Sequence, residues 1–230
     1  MPKTAEILRR GPWFADLPIP IQQAMLAAGT RIKLEPGQPS FLQGSGPSGL
    51  HAVLSGQLKV AHVDRHGHDV LMALVRPSEW AGFLCCLDGR SHFYSAIAVE
   101  PTVIFNLHFA AVRAIFECDV ATYKLLQRPE LNAARALARF AIIEAGRPLA
   151  QRIAARLRDL GRWAYGPMIG PIAALDHISQ EDLAMSAHAS RQSVNMILRD
   201  FEAQGWIATG YGKISVTNSD ALEAFADQGT

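Results

Sequence analysis

The stretch Ser190-Arg191-Gln192-Ser193-Val194-Asn195-Met196-Ile197-Leu198 has two distinct faces when wound at 3.6 residues per turn. Arg191, Gln192, Asn195 and Arg199 fall on one polar stripe about a quarter of the circumference wide, while Val194, Ile197, Leu198 and Phe201 gather opposite. Ser190 suits the N-cap position, because its hydroxyl can accept an orphan amide two or three residues on. The pattern predicts a helix that packs by one face. Its exposed N-terminal end presents side chains suited to base edges in the DNA major groove.

The flanking sequence extends this unit. Ser179-Gln180-Glu181-Asp182 resembles a capping box with Asp in place of Glu, opening a short helix around Leu183 and Ala184. Ser186-Ala187-His188-Ala189 reads as a turn before the next helix. Gly205-Trp206-Ile207-Ala208 and Lys213-Ile214-Ser215-Val216 flank Gly210-Tyr211-Gly212, which predicts a β-hairpin wing. Helix, turn, helix and hairpin make a winged helix-turn-helix. From Asp176 to Lys213 three basic residues (Arg191, Arg199, Lys213) stand against five acidic ones (Asp176, Glu181, Asp182, Asp200, Glu202). Attraction to phosphate therefore has to come from local placement and helix N-termini, and base contacts carry a larger share of binding.

Upstream, from about Arg31 to Leu107, short apolar runs are broken by turn residues: Glu35-Pro36-Gly37, Gly44 to Gly49, Ser55-Gly56, Asp64-Arg65-His66-Gly67 and Asp88-Gly89. Leu50–Leu54, Gln57–Val63 and Asp69–Val75 fit strands of an antiparallel barrel or sandwich, with His66-Gly67 at a hairpin tip. His62, His66 and His68 surround that tip, where histidines are usually solvated, and no metal site is expected.

After Pro101 the composition turns to Ala, Leu and Arg, without a glycine from Thr102 to Ala145, as long helices require. Pro129-Glu130 is expected to start a helix, with proline at the first helical position. Ala134, Ala138, Ala141 and Ala145 then form a narrow seam. Two readings fit it: a two-helix dimer, or a helix packed on its own barrel. Gly146-Arg147-Pro148 ends that helix and lets another run from Pro148 to about Leu160. Gly161 to Pro171, with three glycines and two prolines, marks a second boundary.

The 230 residues are 49% apolar and 19% charged, with a net charge of +1, as in an ordinary globular protein. No basic leader and no membrane-length apolar run is evident, so a cytoplasmic protein without membrane contact is expected. Cys85, Cys86 and Cys118 lack metal or disulfide-framework spacing, and three thiols cannot hold an iron–sulfur cluster within one chain. They read as small buried hydrophobes, with Cys85-Cys86 open to a redox role. No Ser/His/Asp, phosphate-loop or metal-ligand motif stands in a supporting context, so no catalytic residue and no enzyme is expected.

In order and spacing these parts resemble the family of the cyclic-AMP receptor protein and the fumarate–nitrate regulator (CRP/FNR). The resemblance rests on Trp13-Phe14-Ala15-Asp16-Leu17-Pro18, Pro36-Gly37, Gly49 to Gly56, Asp88-Gly89, Gln180 to Ala184, Ser190 to Val194 and Phe201 to Ile207. It implies an α+β chain. The expected parts are an N-terminal double-stranded β-helix (a cyclic-nucleotide-binding-like jelly roll) over 1–118, a dimerisation helix over 119–147 and a C-terminal winged helix-turn-helix over 148–230. It implies a homodimer reading an approximately palindromic double-stranded operator, with RNA polymerase as a further partner. Carried over by position, Ser190, Arg191, Gln192, Ser193, Asn195, Met196 and Arg199 form the DNA-binding set. Gln192 stands where the family usually has an acid and Met196 where it often has arginine, so an unusual half-site is expected. Arg191 can pair bidentately with guanine, and Gln192 or Asn195 with adenine. His188 replaces a common turn glycine, which it can do at positive φ.

The effector pocket implied by the resemblance comprises Gly82, Phe83, Leu84, Cys85, Arg90, Ser91, His92 and Phe93, with Leu137 and Ala138 from the long helix. Cyclic-nucleotide binders place a glutamate and an arginine–hydroxyl pair in this segment. Here Phe83 holds the glutamate position and His92-Phe93 the arginine pair, with Arg90-Ser91 two residues early. A buried cyclic phosphate needs its charge met, so cyclic AMP is not the expected effector. An apolar or uncharged effector, haem held by a His or Cys ligand, and an empty pocket all stay open. So does a ligand or redox sensor working through protein partners without DNA.

Overall fold

The computed structural model describes residues 4–144, 146–162, 172, 175–210 and 212–228. By compactness the chain divides into two units, residues 1–63 with 73–133 and residues 64–72 with 134–230.

The first unit opens with three short helices, α1 (Thr4–Leu8), α2 (Pro12–Ala15) and α3 (Ile19–Ala28). Strands β1 (Thr30–Leu34), β2 (Pro39–Phe41), β3 (Gly49–Ser55), β4 (Leu58–Val63), β5 (Asp69–Val75) and β6 (Trp80–Ala81) follow. Then come α4 (Phe83–Asp88), β7 (Ser95–Ala98), β8 (Thr102–His108) and α5 (Phe109–Phe116). The strands form two four-stranded sheets, ordered β1-β8-β3-β6 and β2-β7-β4-β5. Every pairing described within them is antiparallel, as expected of a double-stranded β-helix. β3 is buried from Gly49 to Leu54 because it lies inside its sheet and is covered by helices. A strand with both faces covered reads as a continuous apolar run rather than an alternating one. At the β4–β5 turn, Gly67 takes φ 83° and the Asp64 amide donates to the His68 carbonyl at 3.0 Å, the expected hairpin tip. His62 is engaged elsewhere, stacked on Phe93 with Nδ1 2.8 Å from the Phe93 carbonyl. Among the described residues no three His, Cys, Asp or Glu side chains gather as a metal site.

Helix α6 (Val120–Glu144) corrects the expected start at Pro129, since it runs through that proline, which is buried inside it. Proline has no N–H to give the carbonyl four residues back, here that of Leu125. The Trp13 indole supplies the missing donor, with Nε1 2.8 Å from the Leu125 carbonyl oxygen. Trp13 is itself held edge-on by Trp80 and Phe83, at centroid distances of 5.3 and 4.8 Å. Along α6, Leu131, Ala134, Ala138 and Ala141 are exposed. Ala145 lies outside the described residues, as does most of the Gly161–Pro171 boundary.

The second unit continues with α7 (Leu149–Gly161), β9 (Leu175–Asp176), α8 (Gln180–Ser186), α9 (Arg191–Ala203), β10 (Ile207–Gly210), β11 (Lys213–Val216) and α10 (Ser219–Ala226). The capping box is present: Ser179 accepts from the Asp182 amide at 3.0 Å, and the Asp182 carboxylate accepts from the Ser179 amide at 2.9 Å. β10 and β11 pair antiparallel as the expected wing, and β9 extends them into a three-stranded sheet. Helix α7 buries Ile153, Ala154, Ala155, Leu157 and Leu160 and packs against α10. Arg158 is buried with them, 3.0 Å from Asp159 and 3.1 Å from Asp227. Among the described residues no helix is long and apolar enough to cross a membrane.

Candidate functional site

Two constellations carry chemistry, one in each unit. In the second unit, Ser190 caps α9 by accepting from the Ser193 amide at 3.1 Å. Val194, Leu198 and Phe201 are buried, which turns Arg191, Gln192, Met196 and Arg199 outward. Met196 is 65% exposed, a large apolar side chain left in water on the outer face of the helix. Asn195 is half-buried and its Oδ1 lies 3.3 Å from Nε2 of Gln180, which ties α9 to α8. Ser193 is half-buried, its hydroxyl 2.9 Å from that of Ser190. His188 adopts φ 48°, the left-handed conformation that its turn position requires.

The acidic residues around α9 are largely occupied. Asp182 serves the capping box, Glu202 accepts from the Thr209 amide at 2.7 Å, and Asp176 pairs with Lys213 at 3.0 Å. Those contacts hold the Glu202 carboxyl below its ordinary range, the Thr209 amide first and its hydroxyl next. Among the described residues Arg191 and Arg199 have no ion-pair partner, and both sit at the exposed face. A helix N-terminus adds partial positive charge there.

In the first unit, a polar cluster lies inside the barrel. His51, on β3 opposite Asn106 of β8, is buried. Its Nδ1 lies 2.8 Å from the Ser40 hydroxyl and its Nε2 2.9 Å from that of Ser48, while Asn106 Nδ2 approaches at 3.2 Å. Burial first, then the neighbouring His92, pulls the His51 pKa down to about 3, so the ring is neutral at pH 7. The Ser48 hydroxyl also lies 2.8 Å from Nε2 of His92, whose ring stacks on Phe41 at 3.9 Å between centroids. Cys85 Sγ stands 3.6 Å from the same Nε2 and donates to the Gly82 carbonyl at 3.2 Å.

This cluster gathers Gly82, Cys85 and His92 of the expected effector set and leaves the others apart. Phe83 is buried against Trp13; Leu84, Arg90, Ser91 and Phe93 are exposed. Arg90 is placed by its amide, which donates to the Asp88 carboxylate at 2.9 Å. Leu137 and Ala138 are exposed on α6. Sequence reasoning missed Ser40, Phe41, Ser48, His51 and Asn106 as members. The available signal was His51 itself, an ionisable residue inside an otherwise apolar strand, which requires buried polar partners. Gly82 is required here: at φ 94°, a Cβ would fall 2.3 Å from the Gly49 carbonyl oxygen.

Comparison with known proteins agrees with this architecture. A cyclic nucleotide-binding domain model matches residues 31–119, and a Crp-like helix-turn-helix domain model matches residues 151–225. The chain belongs to the CRP/FNR family of DNA-binding transcription regulators. It is 28% identical over 194 residues to the cyclic AMP receptor protein of Thermus thermophilus, covering 83% of this chain and 85% of that one. It is 26% identical over 234 residues to the CRP-like cAMP-activated global transcriptional regulator of Mycobacterium tuberculosis, covering 94% and 97%. In fold it is similar to FixK2 from Bradyrhizobium japonicum, with a TM-score of 0.71 at 16% identity, covering 86% of this chain and 96% of that one.

Proposed function

We propose that this protein is a homodimeric, sequence-specific regulator of transcription in the cytoplasm, and that cyclic AMP is not its effector. The observation that carries the DNA reading is the division of α9. Its capped N-terminal end turns Arg191, Gln192, Met196 and Arg199 outward, while Val194, Leu198 and Phe201 anchor the helix. The exposed 3-4-3 spacing of Leu131, Ala134, Ala138 and Ala141 on α6 supports a helix pair between two copies. A two-fold pair of reading helices suits half-sites about one DNA turn, roughly 34 Å, apart. The domain division that goes with this reading is a sensory barrel over 1–118, a dimerisation helix over 119–147 and a reading domain over 148–230. RNA polymerase is then a natural further partner.

Against cyclic AMP stands the charge requirement of its phosphate. Phe83 is committed to the Trp13 cluster, Arg90 is exposed, and His92 is stacked and hydrogen-bonded inside the barrel. Micromolar cyclic AMP binding by calorimetry that Arg90→Ala removed would reverse this part of the reading.

Selection from random duplex DNA followed by gel-shift tests the main claim. An approximate palindrome should emerge, and Arg191→Ala should relax one base pair of each half-site, weakening binding to the selected site about 10- to 100-fold. Recovery of no motif by a folded dimer points instead to a sensor acting through protein partners.

A further inference from the structure

We propose that Cys85 is a peroxide-oxidised thiol, with His92 as its proton acceptor. The geometry carries the assignment. The Ser48 amide donates to His92 Nε2 at 3.3 Å, which leaves that nitrogen in its accepting form, and Cys85 Sγ lies 3.6 Å from it. The ring cannot turn away easily. It is stacked on Phe41, and its backbone is pinned by two 2.8 Å hydrogen bonds, Gly44 N–H to the His92 carbonyl and His92 N–H to the Ser45 carbonyl.

A thiolate at Cys85 is well received. The Cys86 thiol, His92 and the Gly49 amide all stabilise it, and together they hold the Cys85 thiol well below its ordinary range against the cost of burial. The same contact and burial push the Cys86 thiol up, and it is Cys85 that has the His92 nitrogen beside it. Glu130 on α6 faces the same sulfur. Burial first, then the charge at Cys85, raises it to about 7, which keeps it from opposing the thiolate as a full anion at or below neutrality.

Burial restricts the reagent: Cys85 is 2% exposed and His92 4%, which excludes a bulky disulfide and leaves small uncharged oxidants such as hydrogen peroxide. The Cys85 S–H turns from the Gly82 carbonyl, to which it donates at 3.2 Å, to His92 Nε2 at 3.6 Å and gives that nitrogen its proton. The thiolate attacks one peroxide oxygen, an S–O bond forms as the O–O bond breaks, and the departing hydroxide takes the proton from His92 to leave as water. The sulfur is oxidised by two electrons to a sulfenic acid and the peroxide is reduced. Cys86 does not resolve it within α4, because adjacent Cα atoms are about 3.8 Å apart, short of the separation of roughly 4.4–6.8 Å that disulfides span.

Cys118 serves as an internal control, being exposed and donating to the Asp119 carboxylate at 3.3 Å rather than to an imidazole. The full chain is treated with hydrogen peroxide, quenched with catalase, unfolded in urea containing dimedone and mapped by mass spectrometry, with folding of each variant before treatment checked by circular dichroism. The adduct is expected on Cys85 at least tenfold faster than on Cys118, retained in Cys86→Ala. It should slow at least tenfold in His92→Phe, which keeps the stack on Phe41, and in His92→Gln, which keeps a hydrogen bond. Between pH 6 and 8 the wild-type rate should change less than that of either His92 variant, which should climb. Labelling confined to Cys118 or Cys86, or a Cys85 rate and pH profile unchanged in both His92 variants, overturns the proposal. The readout does not depend on DNA binding, so failure of the regulator reading leaves it standing.

Discussion

At the scale of single residues, the informative positions are those where polarity and placement disagree. Met196 is apolar and exposed on the outer face of α9; Arg158 is charged and 1% exposed in the packed face of α7. The first was legible, because the stripe around Arg191 sets which side of α9 faces out. The second was not: α7 carries Arg152, Arg156 and Arg158, and helical periodicity alone does not say which of them meets an acidic partner from α7's own turn and from beyond α10. Breaking a buried ion pair by removing one side leaves an uncompensated charge and a cavity. Arg158→Ala is expected to cost about 3 kcal/mol, while Arg156→Ala should cost less. Thermal unfolding of the two variants decides it, and equal midpoints would show that the Arg158 pairs contribute nothing.

At the scale of elements, boundaries were readable wherever a cap or a turn residue enforces them. Ser179, Ser190 and Gly67 lie at an element start or a hairpin turn for reasons of hydrogen bonding or positive φ that the local sequence carries. Pro129 misled because its missing hydrogen bond is repaired from 112 residues away in sequence, by Trp13. Local pattern holds no record of so distant a partner. A double-mutant cycle tests the repair. Trp13→Phe keeps the ring contacts and should destabilise the protein by about 1 kcal/mol, the typical net value of a hydrogen bond. In a Pro129→Ala background, where the helix supplies its own donor, the same change should cost measurably less. Additive effects would mean that the indole donor and the proline are unrelated.

At the scale of the molecule, the order of barrel, long helix and winged helix-turn-helix was legible because each part has its own periodicity and punctuation. The short helices α1 and α2, at 5 and 4 residues, fall below the length at which periodicity shows, and β9 is a two-residue strand defined only by its pairing. The barrel cluster was half legible, since Cys85 and His92 lie close in sequence while Ser40, Ser48, His51 and Asn106 are brought in by strand register. Buried ionisable groups here act on stability in opposite senses. His51 has a folded pKa of about 3 against 6.5 unfolded, so its contribution is lost as pH falls from 6.5. Glu79 is raised by burial from 4.5 to about 7, so its contribution is full below 4.5 and lost as pH rises through 7. Between pH 6.5 and 4.5 the two slopes oppose. Relative to wild type, His51→Gln should gain stability on acidification, at up to about 1.4 kcal/mol per pH unit. Glu79→Gln should lose it. Urea unfolding at pH 5 and pH 6 measures both, and parallel pH profiles for the three proteins would sink the assignment.

The contact of Trp13 with Phe83 has an optical consequence. Phe83 is the first residue of α4, two positions before Cys85, and its ring meets the indole edge-on at 4.8 Å while that indole is bonded to the backbone of α6. Indole emission is sensitive to both its hydrogen bond and its aromatic neighbours. A chemical event that displaces α4 therefore changes the fluorescence of Trp13, and the barrel carries its own reporter without a dye.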